Sequence, residues 1–211
     1  MKSIKNYCKD LGLVRLFACI AVLLYHMDLL KGGYLAVCTF FVLSGYLATM
    51  SCFKKDKLNL GKFYLNKFLK IYVPLIILTF ITLTIISLIP SINWFNLKPE
   101  TTSVLLGYNN FWQLNANLDY FARHIDSPFM HLWYIAIILQ FYIVFPIIFK
   151  IFKTIGDKVH KILPCIILGL ISIGTTIYFY YSSINGNIMI TYYDTFTRMF
   201  SLVFGIFLGF M

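Results

Sequence analysis

The chain has 211 residues, 60% of them hydrophobic and only 12% charged, and its mean hydropathy is +0.79. A soluble domain of this size could not hide so much apolar surface, so composition selects an integral membrane protein. The formal charge of +10 does not point to nucleic acid, because the lysines cluster in short stretches between apolar segments, where they set topology.

About six apolar spans can be drawn, each near the length a bilayer requires, which predicts an all-α, multi-pass transmembrane bundle. In order they are Leu11–Leu30, Tyr34–Phe53, Ile71–Ile89, His131–Phe152, Ile162–Tyr181 and Phe196–Met211. Lys2, Lys5 and Lys9 precede the first, Lys54, Lys55, Lys57, Lys62, Lys67 and Lys70 separate the second from the third, and Lys150, Lys153, Lys158 and Lys161 mark the junction of the fourth and fifth. By the positive-inside rule these stretches are cytoplasmic, and so is the N-terminus. The opposite side holds Lys31, Lys98, Arg123 and Arg198 against Asp28, Glu100, Asp119, Asp126 and Asp194.

The first span carries Arg15 and His26. Eleven steps at about 100° make roughly three turns plus about 20°, so the two share a helix face about 16 Å apart. Ionisable residues in a span are costly and usually face the protein interior or a wet cavity, and His supplies an acid/base group. Snorkelling of Arg15 to the inner headgroups and a carbonyl-bonded core role for His26 are the plainer readings. The basic start followed by an apolar run resembles a signal peptide, but Arg15 interrupts the run and it continues to Tyr25, so an uncleaved span is expected.

The second span opens on Gly32-Gly33-Tyr34 and continues through Phe40-Phe41-Val42-Leu43-Ser44-Gly45-Tyr46, a small-residue pattern that suits close helix packing. Ser44 has no adjacent base in sequence and is not assigned as a nucleophile. Lys67-Phe68-Leu69-Lys70-Ile71-Tyr72-Val73-Pro74 leads into the third span. Pro90–Met130 is the one long outer loop, and Trp94, Trp112 and several Tyr and Asn residues make it a lid or substrate surface, or an ordered but inert connector. His124, Asp126 and His131 could gather, but their spacing is not diagnostic and no metal site is assigned. His131-Leu132-Trp133-Tyr134 opens the fourth span, which goes on through Gln140-Phe141-Tyr142 to Pro146. Tyr192-Tyr193-Asp194-Thr195-Phe196-Thr197-Arg198 opens the sixth, which reaches Met211 with no closing basic flank, as though the chain stopped mid-protein. Cys8, Cys19, Cys38, Cys52 and Cys165 are scattered without zinc-ligand spacing and read mostly as small apolar fillers.

Taken in order, these stretches resemble the bacterial membrane acyltransferase-3 family, whose best-known members O-acetylate cell-envelope sugars. Arg-x10-His with the Gly-Gly…Phe-Phe-Val-Leu-Ser-Gly-Tyr span carries the resemblance first. The basic Ile-Tyr…Pro approach to span three, the Trp…Gln-Phe-Tyr…Pro span and the Tyr-Tyr-x-Thr-x-Thr-Arg approach follow, the last similar to the Gram-positive peptidoglycan O-acetyltransferase-like branch. Ala36 stands for a usual Gly, Lys67 and Lys70 for usual Arg, and Ile138 where many members carry Glu.

The resemblance implies a membrane O-acyltransferase of the bacterial cell membrane. It would move an acyl group, most often acetyl, from cytoplasmic acyl-CoA to a hydroxyl of a cell-envelope carbohydrate. His26 and Arg15 would be catalytic, with His26 as general base or acyl carrier and Arg15 holding the donor. Lys67 and Lys70 would attract donor phosphates. Arg198 would bind the acceptor or stabilise developing negative charge, and Tyr134 and Gln140 would line the path. Acyl-CoA is expected as a substrate, with no bound cofactor. Residues 1–211 are expected to be the N-terminal part of such a membrane domain, with no separate extracellular domain and room for a separate SGNH-type partner. Two other classes compete: a truncated, non-catalytic membrane assembly protein, and a small-solute transporter, for which no internal repeat is evident.

Overall fold

A computed structural model describes residues 2–54, 59–89, 96–116 and 127–211, with side chains from residue 10 onward. Among these residues every regular element is helical: α1 (Lys2–His26), α2 (Val37–Phe53), α3 (Leu60–Ser87), α4 (Leu97–Leu105), α5 (Asn109–Asn115), α6 (Trp133–Lys158), α7 (Leu163–Asn185), α8 (Ile188–Tyr193) and α9 (Thr195–Phe210). Short 3-10 turns, Gly33–Ala36 and Met130–Leu132, lead into α2 and α6. Among the described residues four stretches are long and apolar enough to cross a membrane: Gly33–Phe53, Leu60–Ser87, Met130–Lys158 and Leu163–Asn185. The first and last expected spans form as α1 and the 16-residue α9, which fall outside those four.

Two boundaries differ from the sequence reading for reasons visible in the local hydrogen bonding. Helix α1 stops at His26 rather than Leu30, because Asp28 turns left-handed (φ 58°) and the Leu29 and Leu30 N–H groups fold back onto the Leu24 carbonyl at 2.9 and 3.2 Å. This is a helix-closing motif in which a short acidic side chain replaces the usual Gly. Helix α3 begins at Leu60, not Ile71, because Asn59 caps it by accepting a hydrogen bond from Lys62 N at 2.9 Å. Its 28 residues span about 42 Å, longer than the roughly 30 Å of hydrocarbon. The outer loop holds α4 and α5, while its Trp94, Asp119, Arg123, His124 and Asp126 lie outside the described residues.

The chain divides into two compact units. The first comprises Met1–Lys54, Ile155–Thr176 and Met199–Met211. Its central seam joins α2 to α9 through glycines. A Cβ on Gly205 would overlap the Val42 carbonyl, and one on Gly45 would overlap the Leu202 carbonyl. The two backbones touch there, as small-residue membrane seams allow. Thr49, fully buried, donates to the Gly45 carbonyl at 2.9 Å, and the Phe53 and Phe210 rings meet edge-on at 5.0 Å.

The second unit comprises Lys55–Thr154 and Ile177–Arg198. Leu75, Val104 and Phe129 form one buried cluster, with Tyr72, Leu97 and Ile135 packed around it. A ladder of Phe141, Phe145 and Phe149 runs down α6, and Phe63 stacks on Phe145 at 5.9 Å. These contacts fix the register of α3 against α6.

Candidate active site

In the first unit Arg15 and His26 ride one unbroken helix, so their expected common face is kept. Both side chains are exposed on this chain, and so is Cys19 between them. His26 is the last residue of α1. Its ring meets Tyr25 edge-on at 5.3 Å, and Tyr25 in turn packs 5.4 Å from Tyr34. The 3-10 turn presses against this end: a Cβ on Gly33 would overlap the Ala21 carbonyl and stand 2.8 Å from Tyr25 Cβ. Only glycine lets the turn close on the helix end that bears His26.

In the second unit a cleft of about 150 Å³ opens between α3 and α6. Tyr64, Lys67, Phe68 and Tyr72 line one wall, and Leu139, Tyr142 and Ile143 the other. The Tyr64 hydroxyl donates to the Ile143 carbonyl at 2.9 Å, and Phe68 stacks on Tyr72 at 4.7 Å. Lys67, half-buried, holds its ammonium 3.8 Å from the centre of the Tyr142 ring and 5.7 Å from that of Phe63. Along α6, Tyr142 lies eight positions outward of Lys150, about 12 Å. Lys67 thus packs its ammonium onto the α3–α6 interface rather than pointing away from both helices. Lys70, one turn further along α3, is exposed and does not line the cleft.

Arg198 is buried, 4% exposed. Its Nε donates to the Tyr192 carbonyl at 2.9 Å, and the rings of Tyr192, Trp133 and Phe179 surround the guanidinium at 4.7, 5.5 and 5.8 Å. Such a cage suits a weakly hydrated, delocalised cation. Asp194 caps α9 one turn earlier, accepting from Phe196 N and Thr197 N at 3.0 and 3.1 Å. Tyr134 is half-buried beside Trp133, ring centres 6.4 Å apart. Both amide hydrogens of Gln140 go to protein: Nε2 donates to Asn110 Oδ1 at 2.8 Å and to the Gly107 carbonyl at 3.2 Å. Its Oε1 accepts from Thr195 Oγ1 at 2.6 Å. Gln140 thus ties α5, α6 and α9 together, where the sequence suggests a liner of the path.

Two polar groups escape the sequence reading. Asn110, fully buried, is the partner of Gln140. Glu100, 1% exposed, accepts from the Ser127 hydroxyl, from Phe129 N at 3.3 Å and from Gln113 Nε2 at 3.3 Å. Burial pushes its carboxyl above the ordinary range, and the bonds from Ser127, Phe129 and Gln113 pull it back in part. In sequence both are ordinary polar loop residues; what distinguishes them is partners up to 85 positions away. His131 is exposed at the head of α6.

Residues 9–211 match a family described as an acyltransferase domain. The chain is 30% identical over 212 residues to O-acetyltransferase OatA of Staphylococcus aureus strain NCTC 8325, covering 98% of this chain and 35% of that protein. It is 32% identical over 214 residues to a candidate O-acetyltransferase of S. aureus strain COL, with the same coverage of each. It thus spans about a third of the length of these relatives. No solved structure matches it.

Proposed function

Because the chain belongs to the acyltransferase-3 family of acyltransferase domains, we propose that it is the donor-handling part of a bacterial membrane O-acetyltransferase. The donor is acyl-CoA at the cytoplasmic face, and the acceptor is a hydroxyl of a cell-envelope carbohydrate such as peptidoglycan. The observation that carries this reading is the pair on α1: a guanidinium and an imidazole on one face of an unbroken helix that closes at His26.

In the proposed reaction His26 takes the acceptor hydroxyl proton as its oxygen forms a bond to the thioester carbonyl carbon. The C–S bond breaks from the tetrahedral intermediate, and the imidazolium returns its proton to the departing thiolate, so the products are the ester and free CoA thiol. Arg15 holds the pantetheine arm or the acyl carbonyl. Lys67 and Lys70 attract the donor phosphates, with the α3–α6 cleft beside them offering aromatic walls to the donor's arm. Arg198 meets the acceptor or the developing oxyanion, where a preoriented cation lowers the barrier. Tyr134 lines the outer path. Gln140 acts through the helices it joins rather than on substrate. An SGNH-type partner could take the acyl group onward.

The test places the chain in membrane vesicles with radiolabelled acetyl-CoA at the exposed cytoplasmic face, with cell-wall acceptors supplied, alongside His26→Ala. Label on protein or sugar is expected only with His26 present. Equal label with His26→Ala removes His26 from the chemistry. No label from a correctly inserted wild-type chain overturns the catalytic reading of this chain alone and favours a non-catalytic assembly role.

A further inference from the structure

Three side chains from three helices close a hydrogen-bonded ring in the second unit. Gln140 Nε2 donates to Asn110 Oδ1, Asn110 Nδ2 donates to Thr195 Oγ1 at 3.0 Å, and Thr195 Oγ1 donates to Gln140 Oε1. The second hydrogen of each amide goes to a main-chain carbonyl: Gly107 for Gln140, and Tyr193, at 3.1 Å, for Asn110. Those two carbonyls fix the sense of the ring. Turning either amide over would set oxygen against oxygen, so only one arrangement satisfies all five donor hydrogens.

The ring grips one place, the corner between α8 and α9. Asn110 holds that corner from both sides, at the Tyr193 carbonyl before it and the Thr195 hydroxyl after it. Arg198 hangs from the same corner, because its Nε is tethered to the carbonyl of Tyr192, the residue just before Tyr193. A shift of the corner by a fraction of an ångström therefore turns the plane in which the guanidinium presents its terminal amino groups.

We infer that Asn110 and Gln140 are positioning residues that aim Arg198. The inference rests on the reading that Arg198 meets the acceptor or the oxyanion. Asn110→Ala lowers kcat/KM toward the acceptor about ten- to a hundredfold, the range expected when buried partners are left unsatisfied, while the donor KM stays in place. In an Arg198→Lys background the same substitution changes kcat/KM by less than about twofold, since residues acting through one group are not additive. Thr195→Val, which keeps the shape and removes one hydroxyl, moves the same parameters in the same direction by less, and serves if Asn110→Ala does not fold.

A second readout is independent of turnover. Phenylglyoxal modification of Arg198, followed by mass spectrometry on the whole chain in membranes, is slow in the wild type and faster in Asn110→Ala and Thr195→Val, at unchanged rates for Arg15. Equal losses of kcat/KM in the wild-type and Arg198→Lys backgrounds overturn the inference, as do a shift confined to the donor KM or an unchanged Arg198 labelling rate. If the wild type transfers no label at all, the functional reading fails, and the Arg198 labelling rate still decides whether the ring aims the guanidinium.

Discussion

The Lys67 ammonium lies 3.8 Å from the centre of the Tyr142 ring, at the edge of the α3–α6 cleft. A cation on an aromatic face is held by about 0.5–2 kcal/mol, more when desolvated. Tyr142→Leu keeps the apolar wall and removes that face. The donor KM is expected to rise roughly three- to thirtyfold by that energy, with kcat little changed, as measured by initial rates over a range of acetyl-CoA concentrations. A fall in kcat at constant donor KM would instead assign Lys67 to a later step.

Arg15→Lys keeps the charge on α1 but loses the planar fork that can bond a carbonyl or phosphate through two N–H groups. The donor KM is expected to rise about tenfold, as for loss of one charge-assisted bond. An unchanged dependence on acyl-CoA concentration would remove Arg15 from donor binding and leave it as a headgroup anchor.

The α2–α9 seam predicts an asymmetry between two glycines. A Cβ at Gly205 would meet the Val42 carbonyl and stand 3.0 Å from Tyr46 N, so Gly205→Ala overpacks two backbones at a cost of about 1–3 kcal/mol. Gly174 on α7 has nothing within 4 Å of an added Cβ, and Gly174→Ala should gain up to about 1 kcal/mol of helix propensity. Thermal unfolding in detergent should show the Gly205 variant below wild type and the Gly174 variant at or above it. Equal behaviour would mean the two helices do not meet through Gly205.

Burial raises the Glu100 carboxyl, so the folded chain binds its proton more tightly than the unfolded chain does. Stability from this group is greatest below the ordinary carboxylate value and is lost as pH rises through the raised folded value. Glu100→Gln, neutral throughout, should flatten that part of the stability profile and unfold at higher temperature than wild type on the alkaline side. Melting curves of both proteins over roughly pH 4 to 7 check it, and parallel slopes would show that Glu100 does not titrate there.

The helices were legible because a membrane demands long apolar runs, and TM-length stretches such as Gly33–Phe53 and Leu163–Asn185 stand close to their expected places. The start of α3 was not. Lys62, Lys67 and Lys70 mimic a loop because clustered charge between apolar runs signals topology, whereas lysine is a good helix former and Asn59 supplies the cap. For the site, the Arg15–His26 register follows from helical periodicity alone. The cage around Arg198 and the Asn110–Gln140–Thr195 ring do not, since each bond joins segments far apart in the chain. Local pattern carries no trace of which asparagine will be buried and which will face water.

The Gly33 turn seats on Ala21 and Tyr25, twelve and eight positions back in the chain. Closing so short a loop carries little entropic penalty, and contacts of this kind form early. The close steric fit at the corner that bears His26 is thus made between Ala21, Tyr25 and Gly33. Of the residues proposed to handle substrate, Arg15 is already made when this turn closes while Lys67 and Arg198 are still to come, so a lesion at Gly33 strikes the nascent chain before any later helix exists to compensate.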